Sequence, residues 1–421
     1  KNTDSTGRFH SNWCSMMYSR LMLARNLLAD GGVIFISIDD NEQENLKKLC
    51  DEVFGSVNFV GQLIHQRAKG GGQAKYIVKG HDYILVYAKV ISKISLTRKK
   101  VVQQKTYEIN GELYIKNDDV VRKQFGKYDK SLGDRRCFYE QLVEYKGEEK
   151  KKEIDELIQR GELFLELNKE GMHTICRYEK LDEASSKLYS IIKVLSEEGK
   201  KDLDALGIKG FSYPKPVEIV KQLVEAGSDK NSIILDFFSG SATTAHAVMQ
   251  LNAEDGGHRK FIMVQLPEPC DEQSEAYKAG YKNICEIGKE RIRRAGKKIK
   301  AENGLSAQNL DIGFRVLKLA DSNMKDVYYA ADDFKQADLL DMVSNIKDDR
   351  TDLDLLFGCL IDWGLPLSMP YTSEQIEDCT VHTYNDGDLI ACFDANIPES
   401  VVKEIASRKP LRAVFRDSSF A

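Results

Sequence analysis

The first 90 residues alternate between helix-like and strand-like patterns of apolar side chains. Apolar residues with helical spacing predict a helix over residues 13–28, which ends before the pair Gly31-Gly32. Residues 33–38 form an almost wholly apolar, β-branched run, typical of a strand covered on both faces of a parallel sheet. Two more strands are predicted over residues 58–64 and 83–87, so the alternation favours an α/β architecture.

Between residues 91 and 210 the pattern changes to charged, weakly periodic segments that separate short strand-like runs. We interpret this stretch as an inserted domain. After Tyr213 the α/β pattern resumes, with helices predicted over residues 216–226, 242–251 and 281–300 and strands over residues 231–238 and 260–266. A small α/β region follows Asp321, with strands over residues 389–393 and 411–415 around a helix at 399–407. The predicted domains are therefore residues 1–90, 91–210, 211–320 and 321–421.

Composition places the 421 residues among ordinary globular proteins. Hydrophobic residues make up 42% and charged residues 30%, and prolines number only 8, which excludes a disordered or collagen-like chain. The longest apolar runs, residues 32–38 and 232–238, are far shorter than the roughly 20 residues that a membrane-spanning helix needs. Nine cysteines without a Cys-x-x-Cys spacing predict reduced thiols in a cytoplasmic protein, with neither a disulfide framework nor a metal site.

A net charge of −5 hides strong local contrasts. Residues 61–105 carry ten Lys and Arg against one acidic residue, and residues 281–300 carry eight against two. Residues 321–354 carry ten Asp against four Lys and Arg. Basic surfaces on a chain that is not basic overall favour a polyanionic partner such as DNA, although the charges of residues 281–300 also fit a solvated helix face.

The most informative local pattern is a strand that ends in Asp236 and runs through small residues into a helix. Ser239, Gly240 and Ser241 form the link, and such a turn lets a ligand approach the backbone while the helix start offers free N–H groups. A phosphate-binding loop is excluded because no Lys follows the turn, and a dinucleotide fingerprint is excluded because the turn has only one Gly. An ordinary strand-to-helix connection is the structural alternative.

Several segments together resemble a known enzyme family. Residues 236–244, Asp-Phe-Phe-Ser-Gly-Ser-Ala-Thr-Thr, resemble the S-adenosylmethionine-binding motif of the amino-methylating DNA methyltransferases. Residues 211–216, Phe-Ser-Tyr-Pro-Lys-Pro, are similar to the Lys-Pro motif that precedes it in the permuted, β-type members. The opening residues 13–40 resemble the segment that follows the catalytic tetrapeptide in the same group. A closer resemblance is to the modification subunits of type III restriction–modification systems, and it rests on residues 81–87, 364–367 and 412–421.

This resemblance implies an open, mostly parallel twisted sheet of the S-adenosylmethionine-dependent methyltransferase type. It also implies that residues 91–210 are a target-recognition domain and that residues 321–421 are a small C-terminal α/β domain. Relatives place an acid where the ribose hydroxyls bind; here Gln265 and Glu268 are both candidates, and which of them contacts the ribose is left open. The implied cofactor-binding residues are Lys215, Pro216, Asp236, Phe237, Phe238, Ser239, Gly240, Ser241, Thr243, Gln265 and Glu268.

A second candidate site is the Gly-rich basic loop between the strands predicted at residues 58–64 and 83–87. Basic side chains on a loop beside the active crevice suit phosphate contact and the support of an extruded nucleotide. A surface loop with a bias toward Lys is the alternative, and His81 and His246 fit packed or capping histidines better than catalytic bases. The DNA-binding candidates are Arg67, Lys69, Lys75, Lys79 and His81, together with Gly70–Gly72 and Tyr76.

The adenine-methylating members of this family carry an Asp-Pro-Pro-Tyr motif that accepts hydrogen bonds from the target amine and stacks on the flipped base. No Pro-Pro pair occurs among the 421 residues. The resemblance places that motif roughly a few tens of residues before Lys1, so we assign no catalytic residue and expect these residues alone not to methylate DNA.

The sequence therefore predicts a site-specific adenine-N6 DNA methyltransferase that uses S-adenosylmethionine and acts on double-stranded DNA. The resemblance also implies a homodimer of modification subunits and a restriction subunit, a translocase and nuclease, as a further partner. We assign the acidic C-terminal region to one of these two contacts. Two alternatives stay open: a cytosine-N4 DNA methyltransferase, and a DNA-binding specificity or scaffold subunit whose cofactor pocket is vestigial.

Overall fold

The computed structural model describes residues 9–70, 75–99, 105–124, 126, 129, 131, 133–181, 185–325 and 346–420. The chain divides into two compact units, Lys1–Ile312 and Gly313–Ala421. Residues 91–210 fall within the first unit, and their assignment as a separate domain stays a prediction. In the described ranges, no helix is long and apolar enough to cross a membrane.

Helices and strands follow one another through both units. The helices are α1 (Phe9–Leu27), α2 (Gln43–Cys50), α3 (Leu142–Lys146), α4 (Glu148–Gln159), α5 (Glu197–Asp204), α6 (Val217–Gly227), α7 (Thr243–Asp255), α8 (Glu275–Lys278), α9 (Ile284–Asn303), α10 (Asp352–Asp362) and α11 (Glu399–Ser407). The strands are β1 (Val33–Ile38), β2 (Phe59–Gln66), β3 (His81–Ala88), β4 (Thr97–Lys99), β5 (Thr106–Ile109), β6 (Glu112–Asn117), β7 (Phe164–Leu167), β8 (His173–Lys180), β9 (Ser185–Lys187), β10 (Ile191–Ile192), β11 (Ile233–Asp236), β12 (Lys260–Met263), β13 (Tyr371–Ile376), β14 (Cys379–Tyr384), β15 (Leu389–Cys392) and β16 (Ala413–Phe415). The α/β class predicted from the alternating patterns is confirmed.

One four-stranded sheet of the first unit has the order β1-β3-β2-β10. β3 pairs antiparallel with both β1 and β2, whereas β10 pairs parallel with β2. We expected the strand beside β1 to run parallel to it. For the neighbour that the structure describes, this expectation is wrong, because Ile34 of β1 lies opposite Tyr87 of the antiparallel strand β3. An apolar run indicates that both faces of a strand are covered, but it carries no information about the direction of the adjacent strand.

Helices cover both faces of β1. On one face, Ile34 and Ile36 pack against a cluster that includes Leu21 of α1 and Leu46 of α2. On the other face, Val33 and Phe35 pack against a cluster from β2, β3 and α6. This two-sided covering explains why the run of residues 33–38 is apolar at nearly every position.

The strands β11 and β12 form a separate parallel pair, in which Leu235 lies opposite Ile262. On one face of the pair, Ile234 and Phe261 pack against a buried cluster from α6 and α7. α7 is buried along nearly its whole length because α6 and α9 both pack against it. These helices hold the start of α7 next to the carboxyl end of β11.

Residues 91–210 contain a second four-stranded sheet, which is antiparallel and has the order β5-β6-β8-β7. Its core combines Ile175 of β8 with Leu142 of α3 and Ile154 of α4. A further short pair, β4 with β9, lies in the same stretch of chain. Mixed charged and apolar residues in short strands explain why the sequence pattern there is weakly periodic.

The second unit contains the sheet β13-β14-β15-β16, in which only the β15–β16 pair is parallel. α10 contributes to a cluster around Leu356 and Leu389, and α11 contributes to another around Val401 and Ile390. The strands predicted at residues 389–393 and 411–415 and the helix at 399–407 are confirmed as β15, β16 and α11. Residues 326–345, a large part of the acidic segment, lie outside the described residues.

Candidate functional site

The link between β11 and α7 is held together by the carboxylate at the end of the strand. Asp236 Oδ1 accepts a hydrogen bond from Phe238 N at 3.1 Å, and its Oδ2 accepts one from Thr244 Oγ1 at 2.6 Å. The backbone of the link is also hydrogen-bonded to the residue that follows β12, because Ser239 N donates to Val264 O at 3.2 Å. Residues 237–243, which lead from the strand to the first residue of the helix, are called the 237–243 turn. Asp236 stabilises this turn through its two hydrogen bonds.

Two residues of the 237–243 turn adopt left-handed backbone conformations. Gly240 has φ +51°, which glycine adopts without strain, and Ala242 has φ +59°, which is unfavourable for a residue with a side chain. α7 starts at the next residue, Thr243, so its N-terminal N–H groups and the positive end of its dipole lie at the turn. Phe238 leaves 57% of its surface exposed beside this helix start. The turn thus combines an exposed aromatic ring with a backbone suited to a negative group.

The predicted Lys-Pro motif lies against the same turn. Pro216 is buried and immediately precedes α6, and Thr243 Oγ1 donates a hydrogen bond to the Lys215 carbonyl at 3.4 Å. The structure therefore brings the two motifs together, although 20 residues separate Pro216 from Asp236 in the sequence.

The two candidates for ribose contact have different surroundings. Gln265 Oε1 accepts a hydrogen bond from Gly240 N at 2.7 Å, and its Nε2 donates to Leu266 O at 3.1 Å. Both ends of the Gln265 amide thus bind protein backbone. Glu268 follows three residues later and is exposed.

Ser241 and Thr243 point away from solvent, toward α9. Both are buried, and their hydroxyl oxygens accept hydrogen bonds from Arg291 Nη1, at 2.9 Å for Ser241 and 2.7 Å for Thr243. Sequence reasoning missed Arg291, which it counted among the basic residues of a predicted helix. The signal was available, because Arg291 falls in line with Ile287 and Ile292 on the apolar side of that helix.

His246 is buried in α7, and its Nδ1 has no hydrogen-bond partner among the described residues. Burial lowers the pKa of His246 to about 3, and the positive charges of Arg291 and Lys298 act in the same direction. The imidazole is therefore neutral near pH 7. This fits the interpretation of His246 as a packed residue.

Lys215 connects the turn to the basic loop electrostatically. Its side chain reaches solvent, but the protein around the ammonium displaces water and lowers the pKa of Lys215. Of the nearby charges, Asp82 raises this pKa and Arg67 lowers it. Asp82 in turn forms an ion pair with Arg67 at 3.3 Å and lies 4.0 Å from the buried His65. Asp82 therefore pairs with Arg67 of the predicted DNA site and acts electrostatically on Lys215 of the predicted cofactor site.

The predicted DNA-binding residues surround the start of β3 and the end of β2. Arg67 N donates to Gly80 O at 2.8 Å, which closes the base of the loop. Lys79 forms an ion pair with Asp40 at 2.9 Å, and this pairing lowers the pKa of Asp40. His81 Nε2 lies 3.0 Å from the Tyr83 hydroxyl. These side chains are thus positioned by contacts at the end of β1 and within β3.

Lys69 and Lys75 are exposed on the loop itself. Lys75 Nζ lies 5.1 Å from the ring centroid of Tyr76, whose side chain is 84% exposed. Gly71 and Gly72 lie outside the described residues. The described part of the loop therefore presents two cations and an aromatic ring to solvent, a combination that suits nucleic acid.

One group of metal-type ligands comes together in the second unit, formed by Cys379, Cys392 and Asp394. Burial raises the pKa of Cys392 to about 12 and also raises that of Cys379. Both thiols are therefore protonated at neutral pH, and a metal would have to displace their protons to bind. Asp394 Oδ2 already accepts a hydrogen bond from Thr380 N at 2.7 Å.

Comparison with known proteins gives relatives over most of the chain. The Mod subunit of the type III restriction-modification enzyme StyLTI from Salmonella typhimurium LT2 is 36% identical over 326 residues, covering 74% of this chain and 49% of the relative. The EcoPI Mod subunit from Escherichia phage P1 is 36% identical over 361 residues, covering 74% and 54%. The type II methyltransferase M.KpnI from Klebsiella pneumoniae is 30% identical over 304 residues, covering 66% and 72%.

The chain spans about half the length of the Mod subunits that it matches. A family model described as DNA methylase matches residues 2–297, which include β1, the basic loop, the Lys-Pro motif and the 237–243 turn. On this match the chain belongs to the DNA methylase family.

Proposed function

We propose that this chain belongs to an adenine-N6 DNA methyltransferase, the modification subunit of a type III restriction–modification system, and that it binds S-adenosylmethionine. The carrying observation is the 237–243 turn, where the end of a parallel strand, the start of α7 and the Lys215 backbone are joined by hydrogen bonds. Ligands of open α/β sheets bind at the carboxyl ends of parallel strands, which is where this turn lies. The type III Mod relatives support the reaction class.

The residues at the turn fit the cofactor. The N-terminal N–H groups of α7 and the positive end of its dipole suit a carboxylate. The exposed ring of Phe238 suits an adenine or a sulfonium cation. When bound, S-adenosylmethionine supplies an electrophilic methyl group. In this arrangement Asp236 holds the turn through Phe238 N and Thr244 Oγ1, and Pro216 fixes the chain on its other side.

For the ribose hydroxyls we propose Glu268 rather than Gln265. Gln265 uses its amide to bind Gly240 N and Leu266 O, so its side chain supports the turn. Glu268 is exposed and offers a carboxylate near the end of β12. A carboxylate accepts hydrogen bonds from two adjacent hydroxyls, which an amide already engaged with backbone does not.

For DNA we propose that Arg67, Lys69, Lys75, Lys79 and His81 contact phosphates beside an extruded base. Arg67 and Lys79 are paired with Asp82 and Asp40, so phosphates would compete with carboxylates for these two cations. Lys69 and Lys75 are exposed and suit the first contacts. Adenine is proposed over cytosine because the 36% identical relatives are type III Mod subunits.

The partners belong to the same proposal. Double-stranded DNA is the proposed substrate, and a second modification subunit and a restriction subunit are proposed as protein partners. We propose the cytoplasm as the compartment, because the DNA substrate is found there in a bacterial cell.

The test is calorimetric titration of S-adenosylmethionine into the 421-residue chain. We expect saturable binding to the wild type and at least about tenfold weaker binding to D236A, which removes the acceptor of Phe238 N and Thr244 Oγ1. D204N, an exposed acid at the end of α5, is the matched control and should bind like the wild type. A folded wild type that releases no heat with S-adenosylmethionine would favour a scaffold role instead.

A further inference from the structure

α9 contributes the largest fully buried side chain among the described residues, and that side chain is an arginine. Arg291 is 0% exposed, and its Nη1 donates to Ser241 Oγ at 2.9 Å and to Thr243 Oγ1 at 2.7 Å. Burial lowers the pKa of the Arg291 guanidinium to about 10, so it keeps its positive charge at neutral pH. A buried cation therefore lies directly behind the 237–243 turn.

The charge of Arg291 is poorly compensated. Among the described residues, no carboxylate forms an ion pair with it, and its Nε and Nη2 are buried without a hydrogen-bond partner. The opposing negative influence comes from Asp202, whose Oδ2 accepts a hydrogen bond from Val217 N at 2.8 Å. Burying a charge in this way destabilises a fold, and an apolar side chain of similar volume avoids that penalty. Packing alone does not account for an arginine at this position.

The location relative to α7 makes the arginine more unusual. The N-terminal end of a helix carries a partial positive charge, which favours anions and disfavours cations. Arg291 binds Ser241 and Thr243 at that end, so its charge adds to the helix dipole. The charge and the dipole thus act in the same direction, which a purely structural arginine would be expected to avoid.

Arg291 also bridges the strained residue of the turn. Ala242, with φ +59°, lies between the two residues whose hydroxyls Arg291 holds. Thr243 Oγ1, which accepts from Arg291, also donates a hydrogen bond to the Lys215 carbonyl at 3.4 Å. The Arg291 guanidinium is thus linked to the Lys-Pro motif through Thr243.

We propose that Arg291 is a positioning residue for cofactor binding, which holds the 237–243 turn in its binding shape through the hydroxyls of Ser241 and Thr243. It acts from behind the turn and through these two residues. The inference rests on the proposed function, because it takes S-adenosylmethionine as the ligand of the turn.

The test measures S-adenosylmethionine affinity by calorimetry in the 421-residue chain. R291M removes both hydrogen bonds and keeps much of the volume, so we expect affinity to fall about ten- to hundredfold. R291K keeps the charge and one donor and should recover part of that loss. R293M changes an arginine on the same helix whose side chain is 51% exposed, and it should bind like the wild type. Circular dichroism establishes that each variant is folded.

A second pair of variants separates positioning from a general structural role. If Arg291 acts through the two hydroxyls, then adding R291M to S241A/T243V should weaken binding by no more than about threefold beyond S241A/T243V alone. A purely structural arginine would weaken binding by the same factor in both backgrounds. That result would overturn the inference, and so would a folded R291M that binds S-adenosylmethionine as tightly as the wild type.

The outcomes distinguish this inference from the proposed function. A wild type that binds the cofactor together with an unaffected R291M leaves the proposed function intact and removes the role of Arg291. A wild type without binding removes both. If R291M does not fold, then R291K decides, because wild-type affinity in that variant contradicts a role for the paired hydrogen bonds.

Discussion

α7 has a buried arginine at each end, and the two are held in opposite ways. At the C-terminal end, Arg259 Nη1 lies 3.0 Å from Asp255 Oδ2, and its Nε donates to Ser228 Oγ at 3.0 Å. At the N-terminal end, the hydrogen-bond partners of Arg291 among the described residues are the hydroxyls of Ser241 and Thr243.

The helix dipole makes the contrast sharper. A cation is favoured at the C-terminal end of a helix and disfavoured at the N-terminal end. Arg259 is therefore stabilised by a carboxylate, an amide oxygen, a hydroxyl and the helix dipole. Arg291 is stabilised by two hydroxyls, and the dipole opposes its charge. We therefore expect Arg259 to stabilise the fold, and we propose that Arg291 serves the candidate site beside it.

The largest effect is expected at the C-terminal end of α7. R259M leaves Asp255 buried without its counter-charge, which should lower the free energy of unfolding by about 3–5 kcal/mol. Urea denaturation followed by fluorescence in a W363F background measures this, because Trp13 is then the one remaining tryptophan and lies in the first unit. R293M serves as the control, and R259M/D255N should regain part of the loss. An R259M chain as stable as the wild type would mean that this ion pair does not stabilise the fold.

A smaller effect, about 2 kcal/mol between pH 7 and pH 5, is expected from His246, which lies between the two ends. Its pKa is about 3 when folded and ordinarily about 6.5, so the unfolded chain binds the extra proton between these values. Stability supplied by the neutral imidazole is therefore complete above pH 6.5 and is lost as pH falls toward 3, by up to about 1.4 kcal/mol per pH unit. Comparing the pH dependence of unfolding in the wild type and H246L between pH 5 and 7 isolates this contribution. Parallel curves for the two proteins would contradict it.

The smallest effect is expected from S228A. Ser228 Oγ accepts a hydrogen bond from Arg259 Nε at 3.0 Å and donates one to Val224 O at 2.6 Å. Asp255 remains in place to pair with the guanidinium, so the free energy of unfolding should fall by only about 1 kcal/mol. The same denaturation experiment measures it. A loss as large as that of R259M would mean that the hydroxyl, and not the carboxylate, holds Arg259.

Much of this region was predictable because its signals are local. The strand ending in Asp236, the small residues of the turn and the apolar face of α7 lie within about twenty consecutive positions, and each indicates its own conformation. The Lys-Pro motif, by contrast, was identified only by its resemblance to a family motif. What the sequence did not indicate is pairing between distant segments, such as the antiparallel contact of β1 with β3.

Arg291 and Gln265 show why the rest was missed. Arg291 is one of eight basic residues in the segment 281–300, and only the packing of α9 against α7 buries this one while leaving Arg293 exposed. Gln265 was a candidate for ribose contact, and its bond to Gly240 N forms only because the turn packs beside the residues that follow β12. The hydrogen bonds of both residues are tertiary contacts that no local pattern records, and the local signal for Arg291, its alignment with Ile287 and Ile292, indicates burial alone.

The position of Asp82 has a consequence for how the two proposed ligands influence each other. Its carboxylate is shared by Arg67 of the basic loop and by the electrostatic surroundings of Lys215 beside the turn. An anion that draws Arg67 away from Asp82 leaves more of that negative charge to Lys215, and thermodynamic linkage makes the effect reciprocal. If the loop binds DNA phosphates and the turn binds the cofactor as proposed, we expect occupancy of one to affect the other through this carboxylate.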